Sequence, residues 1–279
     1  RAVRILMGKT FDWGTLCSSE QSIIADRPIA DQLRRELEAN GAHFMTPDQK
    51  REVEKALIEP TGRVNVKLIG HSPQEIAQAA GFSVDAKIRA LVAPIEQVGR
   101  AEPLSLEKLS PVLAFVVRDG WEAGCMTCLE LLAVGGEGHT LGLYCQDESV
   151  IMEFGLKKPV FRICVNTPTS IGAVGVTTGL FPAMTLGCGA PGGNITSDNI
   201  GPQHLFNTKR LAYHLRDVAP PAAPTAAAMT ASRTTVNLSQ NPLAACSPLH
   251  PTGCDTSSFH GLTEGDIEVI LAQMAGARR

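Results

Sequence analysis

The sequence predicts an α/β domain with a largely parallel sheet flanked by helices. Three observations point there. Short apolar runs of strand length recur and alternate with amphipathic stretches of helical length. The helical stretches carry their own start and stop residues. With 44% hydrophobic and 19% charged residues in 279, the chain has enough apolar matter for a sizeable core.

The chain opens on Ala2-Val3-Arg4-Ile5-Leu6, an apolar run that reads as strand-like; because it starts on Arg1 rather than Met, it reads as a fragment of something longer. Ser22 to Ala25 is a short strand, after which Asp26 can cap a helix with Pro28 in its first turn. Asn40-Gly41 supplies the stop. A second helix follows Thr46-Pro47, with Val53, Ala56 and Leu57 as its apolar stripe. A third starts at Ser72-Pro73-Gln74-Glu75, a capping-box pattern, and ends at Gly81. Ile88 to Val92 and Pro111 to Val117 read as buried strands, and Asp119 to Val134 as a helix. Thr140 to Tyr144 is a strand, Glu148 to Gly155 a short helix and Val160 to Val165 a strand. Gly and Pro dominate residues 168–202, so that stretch is loop-rich, and loops on a rigid sheet are where binding groups tend to stand.

Composition changes after Asp217. The Ala/Pro/Thr/Ser-rich residues 218–261 bury too little apolar surface to order themselves and read as a disordered linker. In residues 262–279, Ile267, Ile270, Leu271 and Met274 lie at i, i+3, i+4 and i+7, one face of a short C-terminal helix. Such a helix is too short to stand alone, so it reads as a docking peptide or a frayed tail. The domain limits are therefore 1–217, 218–261 and 262–279.

Charge excludes some partners. A net charge of −3 with scattered basic residues argues against nucleic acid and an anionic membrane. No apolar run reaches the roughly 20 residues that span a bilayer. Eight cysteines without a secretory leader suit a reducing cytoplasm. Cys125 and Cys128 have C-x-x-C spacing without a second pair or a finger-like His, so they read as buried thiols on a helix face, and no metal constellation stands out.

The stretch with the most chemistry is Thr10-Phe11-Asp12-Trp13-Gly14-Thr15-Leu16-Cys17-Ser18-Ser19-Glu20-Gln21-Ser22. A Cys after a Gly-containing turn, followed by small polar residues, is not placed like a core thiol, since small residues let backbone approach a ligand. A thiolate at Cys17 can attack a carbonyl while its own N–H helps hold the oxyanion. On spacing alone a tucked-in cysteine fits as well.

This stretch resembles the F-D-x-G-x-x-C-x-S-E-Q-S segment around the nucleophile of CoA-acylating aldehyde dehydrogenases. Pro103 to Leu113 is similar to the family's form of the E-x-F-G-P motif, Gly135 to Thr140 to its G-G-x-G-H-T segment, and Leu186 to Asn194 to its glycine-rich loop, where Pro191 departs from the pattern. The resemblance covers about residues 1–216 and is nearest to forms from bacterial microcompartments and to the aldehyde half of bifunctional aldehyde–alcohol dehydrogenases. It implies the catalytic domain of the aldehyde dehydrogenase fold, with the N-terminal part that binds the dinucleotide not included.

The resemblance also implies roles. Cys17 adds to a short-chain aldehyde, hydride leaves to NAD, and coenzyme A takes the acyl group from the Cys17 thioester. Glu107 accepts hydrogen bonds from the nicotinamide ribose, Leu109 packs on the nicotinamide, and His139 is general base for the CoA thiol. His71 and His204 have no such context and read as structural. The implied setting is a cytoplasmic homo-oligomer inside a bacterial microcompartment, held to a shell protein through residues 262–275. Two other readings stay open: a hydrolytic aldehyde dehydrogenase releasing free acid, and an inactive remnant with a structural or cargo role.

Overall fold

The opening residues form a helix, α1 (Ala2–Thr10), rather than a strand. Ala2, Ile5, Leu6 and Lys9 fall at i, i+3, i+4 and i+7, and all four are buried. A run this short fits both periods, and the face it buries decides between them. The computed structural model describes residues 1–218. The linker from 219 onward and the helix expected in 262–279 lie outside the described residues.

Local signals account for the next elements. Strand β1 (Ser22–Asp26) runs into α2 (Arg27–Ala39), which ends at Asn40. The Asp26 side chain does not cap α2; it accepts the backbone N–H of Gly120 at 3.0 Å, tying two strand ends together. Strand β2 (Ala42–Phe44) is too short to show a period and has no clear sequence signal. Helices α3 (Pro47–Leu57) and α4 (Pro73–Ala79) each start with a closed capping box, Thr46 with Gln49 and Ser72 with Glu75. Strands β3 (Ala90–Pro94) and β4 (Val112–Arg118) follow, then α5 (Gly120–Val134), β5 (Gly138–Leu143), α6 (Glu148–Lys157), β6 (Val160–Val165) and the short α7 (Thr169–Ala173).

The strands do not join one sheet. Four form a parallel sheet in the order β2-β3-β4-β1, and β5 pairs in parallel only with β6. Alternate residues of β4 serve the two faces of the larger sheet. Leu113 and Phe115 pack with Leu6 of α1 and Leu37 of α2, while Val112, Ala114 and Val116 pack with Val53 of α3 and Ile76 of α4. The path from β1 to β2 crosses the sheet one way and the path from β2 back through β3 the other. Right-handed crossovers therefore put α2 on one face and α3 with α4 on the opposite one.

This topology positions the site. Ser22 stands opposite Ala114, so β1 and β4 start at the same edge of the sheet. The segments that lead into them, Thr10–Gln21 and Pro103–Pro111, therefore meet there.

Candidate active site

Helix α1 ends at Thr10 in a turn whose residues Asp12 (φ 48°), Trp13 (φ 49°) and Gly14 (φ 75°) are all left-handed. Thr15 Oγ1 donates to Asp12, 2.8 Å from its carbonyl and 2.5 Å from its carboxylate, and Ser19 Oγ donates to the Gly14 carbonyl at 3.2 Å. A Cβ on Gly14 would stand 2.7 Å from the Ser110 carbonyl oxygen, so only glycine lets this turn lie against the segment before β4.

Cys17 follows and is exposed. Its thiol is nonetheless held above the ordinary cysteine value, first by partial desolvation, then by negative charge at Glu107 and Cys188. Hydrogen bonds from its own N–H and that of Ser18 pull the other way.

Glu107 is exposed, and among the described residues its carboxylate has no hydrogen-bond or ion-pair partner, which leaves it free for a diol such as a ribose. Its neighbour Lys108 is fully buried, and the Nζ donates to the carbonyls of Leu104 (2.7 Å), Leu106 (2.6 Å) and Gln21 (3.1 Å). Lys108 thus fastens the loop that carries Glu107 to the residue entering β1. Burial pushes its ammonium well below the ordinary lysine value, and the charge of Lys9 adds to that. Leu109 is half-buried and left-handed (φ 48°).

His139 is the second residue of β5 and is half-buried, its Nδ1 2.9 Å from Thr140 Oγ1. Burial and then the positive charge of Arg162 lower its pKa, so the imidazole is neutral at neutral pH and can accept a proton. A Cβ on Gly138 would run into the Cys188 carbonyl, so a glycine here lets the loop bearing Cys188 close on the start of β5.

No family model matches the chain. It is 36% identical over 213 residues to the bifunctional aldehyde-alcohol dehydrogenase AdhE of Escherichia coli K12, covering 75% of this chain and 24% of that protein. It is 31% identical over 218 residues to the succinate-semialdehyde dehydrogenase (acetylating) of Clostridium kluyveri, covering 78% and 48%. The crystal structure of an acetylating aldehyde dehydrogenase from Geobacillus thermoglucosidasius matches with a TM-score of 0.75 and 43% identity, over 78% of this chain and 48% of that one. The chain is homologous to the acetylating aldehyde dehydrogenases. It spans between a quarter and a half of these relatives' length.

In this acetylating aldehyde dehydrogenase homologue, sequence reasoning missed several residues around Cys17. Arg162 on β6 is buried, with Nε bonding Asn199 Oδ1 at 2.8 Å and Nη2 bonding the carbonyls of Gly187 (2.5 Å) and Ser197 (2.9 Å). It staples the glycine-rich loop to the small sheet. An arginine inside the apolar run Val160–Val165 was the available signal, because charged residues are seldom fully buried without partners. Lys9 is fully buried, and burial brings it down to about 7 against the pull of Glu20 and Glu107. Glu20 is pushed up by burial, although its Oε1 accepts the Thr169 N–H at 2.8 Å.

Five buried side-chain polar atoms lack a partner among the described residues; Ser18 Oγ, Glu20 Oε2, Ser110 Oγ and Thr169 Oγ1 are four of them. All four belong to the nucleophile segment or to residues packed on it.

The other candidates sit elsewhere. Cys125 and Cys128 lie on α5 and pack against β5, β6 and α6, with the Cys128 thiol pushed up to about 11 by burial, which makes it a poor nucleophile. Among the described residues no group of three or more His, Cys, Asp and Glu is placed to hold a metal ion. His71 faces Glu75 at 3.4 Å, and His204 accepts the Gly201 N–H at 2.9 Å, so both serve local structure.

Proposed function

We propose that this chain carries the nucleophile half of a CoA-acylating aldehyde dehydrogenase that oxidises a short-chain aldehyde, of the acetaldehyde or propionaldehyde type, to an acyl-CoA. One observation carries this reading: parallel pairing of β1 with β4 brings the exposed Cys17 to the same sheet edge as the unpartnered Glu107. The homology to acetylating aldehyde dehydrogenases supports it.

Each residue has a task in this scheme. The Cys17 thiolate attacks the aldehyde carbon, and the N–H groups of Cys17 and Ser18, already turned toward the sulfur, help hold the oxyanion. A nicotinamide cofactor (NAD in this proposal), when bound, supplies the hydride acceptor. Glu107 would accept hydrogen bonds from its ribose, and Leu109 would pack against the ring. The acyl group then rests on Cys17 as a thioester. With Nδ1–H donating to Thr140 Oγ1, the free Nε2 of His139 takes the proton of the coenzyme A thiol. The CoA sulfur displaces Cys17, which leaves as thiolate.

Aldehyde and NAD supplied to the full-length enzyme with and without coenzyme A test the reading. Steady NAD reduction is expected only with coenzyme A, and free acid formed at the same rate without it returns the hydrolytic reading. In the His139→Gln variant, acyl transfer slows by about 10²- to 10⁴-fold. The thioester on Cys17, measured by intact mass, accumulates. Equal loss of the hydride step rules out His139 as the base.

The proposed setting is a homo-oligomer in the bacterial cytoplasm, inside a protein shell. No described helix is long and apolar enough to cross a membrane. The stripe of Ile267, Ile270, Leu271 and Met274, outside the described residues, would fold against an apolar groove of a shell protein, on a tether of about 40 residues. Residues 219–279 fused to a fluorescent protein and co-expressed with shell proteins should form puncta. These should be lost on Ile270→Asp with Leu271→Asp; diffuse signal, or puncta that survive the double change, eliminates this docking role.

A further inference from the structure

Lys9 is the most unexpected buried group in the chain. It closes the apolar face of α1, where a Leu or Met would continue the stripe at no desolvation cost, yet it is fully buried. Its Nζ finds only long contacts with neutral oxygens, 3.5 Å to Ser19 Oγ and 3.4 Å to Gln21 Oε1. The Gln21 Oε1 also accepts the backbone N–H of Lys108 at 3.2 Å. Lys9 and the Glu107–Lys108 segment therefore meet on one acceptor.

The charged groups around Lys9 come from two segments. Glu20 leads into β1 and packs on Gly8, where an added Cβ would overlap its carboxylate. Its Oε1 is taken by the Thr169 N–H at the start of α7. Glu107, on the loop before β4, attracts Lys9 more weakly and from beyond ion-pair distance, and Lys108 presents a like charge from the same loop. Glu20 is thus anchored elsewhere, while Glu107 is the carboxylate without a partner. The acceptor that Lys9 shares with the Lys108 N–H, Gln21 Oε1, ties the buried cation to the loop that carries the free carboxylate.

We propose that Lys9 is a positioning residue that acts through Glu107, its buried ammonium holding the Gln21–Lys108 junction and supplying the counter-charge that fixes the Glu107 carboxylate for cofactor binding. This rests on the reading of Glu107 as the carboxylate that receives the cofactor ribose. Lys9 does not touch the reacting atoms, so its loss should appear in the KM for NAD and leave the kcat for the aldehyde at saturating NAD nearly unchanged. Because burial brings Lys9 to about 7, the wild-type KM should rise as pH passes through that value and Lys9 gives up its proton. The charged form prevails below it.

A double-mutant cycle on the full-length enzyme tests this, with Lys9→Met, Glu107→Gln and the pair. In the native background Lys9→Met is expected to raise the KM for NAD about tenfold and to flatten its pH dependence between pH 6 and 8; in the Glu107→Gln background it should add less than about twofold. Glu20→Gln combined with Lys9→Met keeps the buried site neutral if Lys9→Met alone folds poorly, and the same tenfold rise is expected there. A raised KM for NAD in Glu107→Gln, with Lys9→Met acting equally in both backgrounds, overturns the Lys9 proposal alone. An unchanged KM in Glu107→Gln overturns the reading of Glu107, and the Lys9 proposal falls with it.

Discussion

Replacing Cys17 by Ala is expected to lower the acyl-CoA formation proposed for the full-length enzyme by a factor of about 10⁴ or more, the scale of losing a nucleophile outright. Cys128→Ala should retain most of the activity, because that thiol lies on the buried side of α5 and is held at about 11 by burial. Coupled assay of both variants decides the matter: comparable loss in the two, or activity surviving in the first, removes Cys17 from the role. Alkylation gives a second readout that needs no cofactor. Desolvation, Glu107 and Cys188 all hold the Cys17 thiol above the ordinary value, so the iodoacetamide rate should climb with pH past the midpoint of a free thiol. Glu107→Gln removes one of the negative charges and should move that midpoint down.

Replacing Arg162 by Met is expected to destabilise the domain by about 2–4 kcal/mol, since each buried neutral acceptor left unpaired costs about 1–3 kcal/mol. The reason is the number of acceptors left behind. The carbonyls of Gly187 and Ser197 and the amide oxygen of Asn199 lose a charge-assisted donor inside a buried site. Asn199 also donates to the carbonyls of Ala173 (2.8 Å) and Phe181 (2.7 Å), so the loss spreads into the loop after α7. Urea unfolding measures the change, and a midpoint shifted by less than the equivalent of about 1 kcal/mol defeats the assignment. His139 reports the same event locally. With the Arg162 charge gone its imidazole pKa rises, which proton chemical shifts of the ring follow directly.

Several features were legible in the sequence because their physics is local. The starts of α3 and α4 lie in four-residue capping boxes, Thr46 to Gln49 and Ser72 to Glu75, closed by neighbouring side chains and backbone. Strands β4 and β6 announced themselves as apolar runs, and their ends moved by no more than a residue. Cys17, Glu107 and His139 were picked out by the resemblance of their segments to a known family, since spacing alone left Cys17 open, and the larger sheet brings the first two to one edge.

What the sequence could not decide was non-local. The run Ala2–Leu6 satisfies strand and helix alike, and only the face it presents to Leu113 and Phe115 makes α1 a helix. Strand partners in a parallel sheet are joined by long connections, so nothing near β5 or β6 in the chain says that they pair apart from the other four. The same holds for the buried charges. Lys9 and Arg162 look like ordinary surface residues until folding closes on them. Their partners come from distant segments: the acceptor that Lys9 shares with Lys108 joins positions 87 residues apart. A charge can be buried only where the fold supplies its partners, and that supply is set by tertiary contacts, not by the neighbours in the chain.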